Sequence, residues 1–278
     1  MRITVPRGAC DTHMHFYDEK RPAAPGTFLP GNFTVKEYRE LQKLLGLERV
    51  IVVQANAYAD DNTVIVNAMK ELGKGAKGVA VVKPSVKDAE LERLTKAGIC
   101  AVRIMTLHGG MLGFDVMDQV MARVHPHGWH ANIQLDGREL PKYEAQIKRL
   151  PDKFVIDHTG KFLEPVAPEH EAFRSLLRLL DTGRCWVKLS APYETSKTGA
   201  PKYEDVGRLA KALVKHAPER MMWASNWPHP SARKPAPPND EDLLDLLADW
   251  APDAKVQKKI LVDNPAALYG FPNSGSGP

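Results

Sequence analysis

Two histidines lie two residues apart in the run Gly8-Ala9-Cys10-Asp11-Thr12-His13-Met14-His15. Side chains alternate across a strand, so His13 and His15 share one face while Met14 takes the other. One strand can thereby offer two imidazoles to one site, as metal ligands or as proton carriers. A third histidine, His158, ends the run Phe154-Val155-Ile156-Asp157, Lys188 and Ser190 end another, and Asn226 ends a third. Imidazoles, an ammonium group and an amide at the ends of separate runs can bind a polar ligand if the fold brings them to one pocket.

Such groups converge only if the fold gathers strand ends. Eight short apolar runs recur along the chain: Gly8–His13, Val50–Gln54, Val79–Val82, Ala101–Met105, Ala131–Leu135, Phe154–His158, Trp186–Ser190 and Met221–Asn226. Between them lie segments of helical period near Val35–Leu45, Asn62–Leu72, Asp88–Ala97, Val116–His125, Leu140–Arg149, Glu169–Leu180 and Tyr203–His216, with Asp242–Trp250 and Ala254–Val262 closing the chain. A strand followed by a helix, eight times over, predicts an α/β fold in which a parallel sheet closes as a (β/α)8 TIM-like barrel. Residues 1–271 form one domain in this reading, and 272–278, rich in Gly, Ser and Pro, form a frayed tail. No glycine-rich phosphate turn follows the first run, which argues against an open doubly wound sheet.

A barrel places its active site at the C-terminal ends of the strands. Nearly every run here ends in a polar residue: His13 and His15, Gln54, Lys83, Arg103, then Asn132, Gln134 and Asp136, His158, Lys188 and Ser190, and Asn226. Together they predict a ring that holds a polar ligand.

Composition narrows the class. The 278 residues are 43% hydrophobic, enough for a large core, and no stretch approaches the roughly twenty apolar residues of a membrane span. The N-terminus lacks a signal-peptide pattern, so a cytoplasmic protein is expected. Cys10, Cys100 and Cys185 sit in or beside apolar runs, as reduced buried thiols do. A net charge of +4 without basic blocks between aromatics excludes a nucleic-acid surface and leaves room for a local anion site. Oligomeric state is left open.

Four segments carry a family resemblance: Asp11-Thr12-His13-Met14-His15, Ile156-Asp157-His158-Thr159-Gly160-Lys161, Trp223-Ala224-Ser225-Asn226-Trp227-Pro228-His229-Pro230, and Asp263-Asn264-Pro265-Ala266-Ala267-Leu268-Tyr269-Gly270-Phe271. The chain resembles the amidohydrolase superfamily, in the branch of pyrone-dicarboxylate lactonases, sulfomuconolactone hydrolases and galactarolactone isomerases. The resemblance implies a distorted barrel in which first-strand histidines, a later histidine and an eighth-strand aspartate surround the reacting bond. Most members hold one or two divalent metals there, and this branch includes enzymes that work without one.

Carried over residue by residue, the family histidines are His13, His15 and His158, but Asn226 stands where a hydrolase has its aspartate. A carboxylate can take a proton from water and ligate a cation, whereas an amide is neutral and non-basic. The residue is therefore either a replaced base, or native to a reaction that needs no activated water, or the mark of a binding relic. Arg103 matches an arginine that grips a carboxylate in the pyrone lactonase, and its planar fork suits that task. The following loop lacks that enzyme's second arginine, and Gln134 stands in place of a tyrosine. Gln54 and Gln134, which donate to and accept from hydroxyls, favour a more hydroxylated acid.

Two loops can shape specificity, with Tyr193 and Lys197 after the seventh run and Arg233 after the eighth. His125, His127, His170 and His216 fall in helices or their ends, and His130 opens the fifth run at the far rim. The sequence thus predicts a hydrolase acting on the lactone ester of a small anionic acid. The catalytic set is His13, His15, His158, Lys188 and Asn226. Gln54, Arg103, Gln134, Ser190, Tyr193, Lys197 and Arg233 contact substrate. The alternatives are a metal-independent aldarolactone isomerase and an impaired acid-binding variant. No cofactor is required in this reading, and a divalent metal such as zinc at His13, His15 and His158 is expected only at low occupancy.

Overall fold

A computed structural model describes residues 1–272. Apart from Pro272, the expected tail over 272–278 lies outside the described residues. Eight parallel strands run in chain order: β1 (Cys10–Met14), β2 (Arg49–Val53), β3 (Ala76–Ala80), β4 (Ile99–Met105), β5 (His130–Gln134), β6 (Phe154–Ile156), β7 (Cys185–Leu189) and β8 (Met221–Trp223). Around them lie α1 (Val35–Leu45), α2 (Thr63–Leu72), α3 (Asp88–Lys96), α4 (Phe114–Val124), α5 (Leu140–Lys148), α6 (Glu171–Leu180), α7 (Glu204–His216) and α8 (Asp240–Trp250). This is a nearly closed (β/α)8 barrel.

Each element follows from its residues. In α1, Val35, Tyr38, Leu41 and Leu45 are buried at helical spacing, Thr34 and Glu37 form a capping box, and Gly46 ends the helix with φ 73°, a left-handed value that suits glycine. The strands split their residues by parity. Ile51 and Val53 of β2, Val155 of β6 and Met222 of β8 fill the barrel interior, while Val50 and Val52, Phe154 and Ile156, and Met221 and Trp223 pack against the helices. The seam between β8 and β1 is closed by the Thr12 hydroxyl donating to the Trp223 carbonyl at 2.8 Å, and by Asn226 N–H donating to the His13 carbonyl at 2.9 Å.

The end of the chain departs from the single helix expected over Ala254–Val262. A short α9 (Ala254–Lys258) passes through a π-helical turn, Lys259–Asp263, into α10 (Asn264–Tyr269). Ala266, Leu268, Tyr269 and Phe271 then pack with Cys10, Ile51, Val79 and Ala101, so the chain stoppers the N-terminal end of the barrel with its own apolar residues. The open end is the opposite one. The cysteines are free, with Cys10 and Cys185 buried and Cys100 half-buried. Among the described residues no helix is long and apolar enough to cross a membrane.

Candidate active site

At the C-terminal ends of the strands a cavity of about 380 Å³ is lined by His15, Arg103, Gln134, His158, Lys161, Glu194 and Asn226, with Tyr17 and the loop residues Phe28 and His108 above. His13 does not line it. It lies one layer below, its ring centroid 4.9 Å from His15 and 4.6 Å from His158. The ladder between β1 and β2 shifts register between Asp11 and Met14, so that Cys10 and His13 both face inward while Met14 packs outward. Asp11 faces the seam instead, where it accepts from Ser225 N–H at 2.9 Å and from the Tyr38 hydroxyl at 2.9 Å. Burial, working against these donors, pushes its carboxyl up to about 6.

His158 and Asn226 reach the site through the backbone. β6 stops at Ile156 and β8 at Trp223, short of the expected His158 and Asn226. The chain then turns through left-handed residues, with φ 51° at His158 and 57° at Asn226. Asparagine visits this region more readily than most residues, whereas a histidine there is strained and must be held by its surroundings. Ser190, at 2.7 Å from His158 Nδ1, is one such restraint.

Beneath the cavity, hydrogen-bond geometry fixes an order of protons. Lys188 Nζ lies 3.2 Å from His13 Nδ1, 2.9 Å from Asn132 Oδ1 and 3.2 Å from Asp157 Oδ1. An ammonium group only donates, so His13 Nδ1 accepts and its proton sits on Nε2. That Nε2 lies 3.2 Å from His15 Nε2, which accepts, leaving His15 Nδ1–H to donate to the Val53 carbonyl at 2.9 Å. Burial holds all three imidazoles neutral: His15 falls to about 3, and His13 and His158 fall well below the usual histidine value, with Lys188 lowering His13 further. Burial alone would push the Asp157 carboxyl up, but the Lys188 ammonium, with Arg103, holds it below the usual carboxylate range.

The sequence placed Lys188 beside the developing oxyanion. The structure puts it wholly buried under His13, away from the cavity wall, in contact with His13, Asn132 and Asp157. Gln54 is also elsewhere: its amide nitrogen donates to the Ala59 and Asp61 carbonyls, and it meets the site only through its own carbonyl, which accepts from Arg103 at 2.8 Å. Tyr193 stands behind Asn226, 2.9 Å from its amide nitrogen. Lys197 is exposed and pairs with Glu164 at 3.1 Å, and Arg233 lies over the Phe33 ring and donates to the Pro228 carbonyl. Lys83 is exposed beside Asp60, and Asp136 caps the turn before α5 while pairing with Arg138. Arg103 and Gln134 line the cavity in contact with each other at 3.0 Å.

Asp157, Lys161 and Glu194 were not singled out as site residues from the sequence, and Asn132, counted in the ring of strand-end polar groups, was given no role there. Asn132 and Asp157 hold Lys188, with Asn132 Nδ2 donating to Asp157 at 2.8 Å. Lys161 and Glu194 form a buried ion pair at the cavity wall. Parity carried a signal for the first two, because Asn132 alternates with Ile133 and Asp157 with Ile156.

His13, Asp157 and His158 present donor atoms that all lie within 4.8 Å of one another, a metal cluster in spacing. The expected set had His15 in place of Asp157. The surrounding charge opposes a divalent ion. Three cations, Arg103, Lys161 and Lys188, already face two carboxylates, Asp157 and Glu194, for a local charge of +1, which such an ion would raise to +3. Metal-bound imidazoles ordinarily donate their second N–H to an acceptor, whereas His13 Nδ1 lies nearer the Lys188 ammonium, at 3.2 Å, than Asp157 Oδ1, at 3.4 Å. The residues present do not fit a resident divalent metal, and no step below passes through one.

A parallel barrel thus presents a polar mouth with neutral imidazoles, a guanidinium that has no carboxylate partner among the described residues, and a buried Lys-Glu pair. The chain belongs to the amidohydrolase family, whose sequence profile matches residues 10–271. It is 36% identical to D-galactarolactone isomerase of Agrobacterium fabrum over 95% of this chain and 91% of that protein. It is 35% identical to 2-pyrone-4,6-dicarboxylate hydrolase of Comamonas testosteroni over 96% and 92%. An apo crystal structure from Agrobacterium tumefaciens superposes with a TM-score of 0.91 at 35% identity, covering 97% of this chain and 98% of the other.

Proposed function

We propose that this enzyme processes the lactone of a small anionic acid, moving the acyl group between hydroxyls of one substrate. The observation that carries the anionic lactone is Arg103. Its guanidinium is buried at the cavity wall, donates to the Gln54 carbonyl, Asn56 Oδ1 and Gln134 Oε1, and has no carboxylate partner among the described residues. A buried cation left in this state is matched by a substrate carboxylate.

The surroundings of Asn226 favour migration over hydrolysis. Its amide nitrogen points to Glu194 Oε1 at 3.4 Å, and Glu194, despite burial, is held down to about 2 by Lys161. A carboxylate at position 226 would face that charge, whereas an amide donates to it. Water activation is thus absent from the place where a hydrolase would have it. In the reaction proposed, Arg103 holds the carboxylate and the attacking group is a hydroxyl of the substrate. His158 Nε2, which carries no hydrogen bond among the described residues, takes the hydroxyl proton as the new C–O bond forms. It returns the proton to the departing ring oxygen as the old bond breaks. With Nε2 as the base, Nδ1 carries a proton in both the neutral and the protonated imidazole, and the Ser190 hydroxyl accepts from it in each. Hydrolysis remains the second reading, supported by the retention of His13, His15 and His158 together.

Proton NMR of aldarolactones and muconolactones mixed with purified enzyme tests this directly. Ring migration without net acid release is expected, and signals unchanged for every lactone would defeat the proposal. Arg103→Ala is expected to raise KM for an anionic lactone by about 30- to 1,000-fold, the ~2–4 kcal/mol of a lost buried charge contact, and Arg103→Lys by much less. On an uncharged lactone both effects should shrink; equal losses would place the carboxylate elsewhere. Elemental analysis of enzyme purified without chelator should find well under one equivalent of zinc or manganese, and a stoichiometric metal would overturn the metal-independent reading.

A further inference from the structure

Behind the cavity wall runs a second chain of hydrogen bonds that the proposed reaction does not use. Asp240, the first residue of α8, lies 3.1 Å from His229 Nε2. His229 Nδ1 lies 2.8 Å from the Tyr193 hydroxyl, and that oxygen lies 2.9 Å from Asn226 Nδ2. His229 is 1% exposed, and its backbone N–H donates to the Asn226 carbonyl at 2.8 Å.

For a neutral His229 imidazole the direction of each bond follows. A carboxylate can only accept, so the His229 proton sits on Nε2 and Nδ1 becomes the acceptor. The single Tyr193 proton goes to Nδ1, which leaves the phenol oxygen to accept from the Asn226 amide. The second amide proton points at Glu194, 3.4 Å away. Turning the amide over would set its oxygen against a carboxylate and against a phenol oxygen with no proton to give. Both amide hydrogens are therefore engaged, one behind the wall by Tyr193 and one by Glu194 in the wall itself, and because Asn226 lines the cavity, Oδ1 is the atom left for the ligand.

We propose that His229 is a positioning residue that, through Tyr193, locks the Asn226 amide with its oxygen toward the cavity, where it accepts a hydrogen bond from a substrate hydroxyl. The inference rests on the lactone reading and narrows it to hydroxylated acid lactones. It also explains why an amide suits this position: a carboxylate has no hydrogen for Tyr193 or Glu194, so the same chain would leave it unmatched.

The test uses full-length enzyme and two probes, an aldarolactone and a muconolactone that has the carboxylate but no hydroxyl. By calorimetry, His229→Leu should weaken the aldarolactone about tenfold, one hydrogen bond's worth, and leave the muconolactone unchanged. His229→Gln, whose side-chain oxygen can still accept from Tyr193, should restore most of the difference. In a Tyr193→Phe background, His229→Leu should add nothing, because the two act in series. Nitrogen-15 NMR should show the Asn226 side-chain amide protected from exchange in the wild type and unprotected in His229→Leu. Equal weakening of both lactones, or additive losses with Tyr193→Phe, or an amide signal unmoved by His229→Leu, would overturn the proposal. If neither lactone binds the wild type, the lactone reading itself fails, and the amide signal still decides whether His229 positions Asn226.

Discussion

Lys188→Met should lower the stability of this enzyme by about 3–5 kcal/mol at pH 7, a fall in Tm of roughly 8–16 °C, because it strands the buried Asp157 carboxylate. Asp157 is wholly buried and its charge is matched mainly by Lys188 at 3.2 Å. In the wild type its carboxyl is held below the usual range, so the stabilisation it contributes is present above the unfolded value of about 3.9 and is lost as pH falls through the lower folded value. In the variant, burial dominates and raises the same carboxyl. The penalty then appears as pH rises above about 4 and nearly vanishes below it, where Asp157 is neutral in both states. Thermal unfolding at pH 4 and pH 7 checks the sign: the gap between wild type and variant should open on going from acid to neutral. Lys188→Met with Asp157→Leu should recover most of the loss. The single variant should also take up zinc toward one equivalent, since removing the ammonium lowers the local charge and frees His13, Asp157 and His158. An equal gap at both pH values would mean that Lys188 contributes packing rather than charge.

The same cluster shows how far residue patterns reach. Eight apolar runs between helical segments carried the barrel, because period and parity are local properties that short segments express on their own. Parity also separates good site residues from poor ones once each strand is phased. Gln54 follows Val50 and Val52, which pack against the helices, and its side chain turns to the Ala59 and Asp61 carbonyls rather than to the cavity. His158 shows where parity ends. Counted along β6 it falls with Phe154 and Ile156 on the helix side, and only the left-handed turn after the strand brings it to the mouth. Its place at the end of the run, together with the motif, located it rather than the alternation. Asp157 and Asn132 share the inward parity of their strands, yet their pairing with Lys188 joins three strands across the barrel, a contact no local pattern encodes. The Lys161–Glu194 pair joins two loops and was invisible for the same reason. Lys197 and Arg233, taken for ligand contacts from loop position alone, meet Glu164 and Phe33 instead.

The proposed reaction turns on Asn226, and Asn226→Asp should raise lactone hydrolysis by about two orders of magnitude or more while leaving ring migration unimproved. The gain has the size of a positioned general base, about 10²–10⁴ in rate. Its pH profile distinguishes a base from a mere change of polarity. The new carboxylate would sit beside Glu194, whose oxygen is 3.4 Å from the present amide nitrogen and whose carboxyl is held down to about 2 despite burial, chiefly by Lys161. A neighbouring negative charge raises an acid's pKa, so the new group should ionise above the usual aspartate value of about 3.9. Hydrolysis should therefore climb with pH along a single limb whose midpoint lies above that value, and fall away in acid as the carboxylate protonates. Adding Glu194→Gln removes the repulsion, and the midpoint should move back down. The wild type has no such group at this position, and its migration rate should lack that limb. Side-by-side progress curves for ring opening and ring migration, across pH and in all three proteins, measure every term. Hydrolysis that stays at the wild-type level in Asn226→Asp would show that the site lacks the geometry to activate water, and that the asparagine is one of several features committing this barrel to moving an acyl group within its substrate.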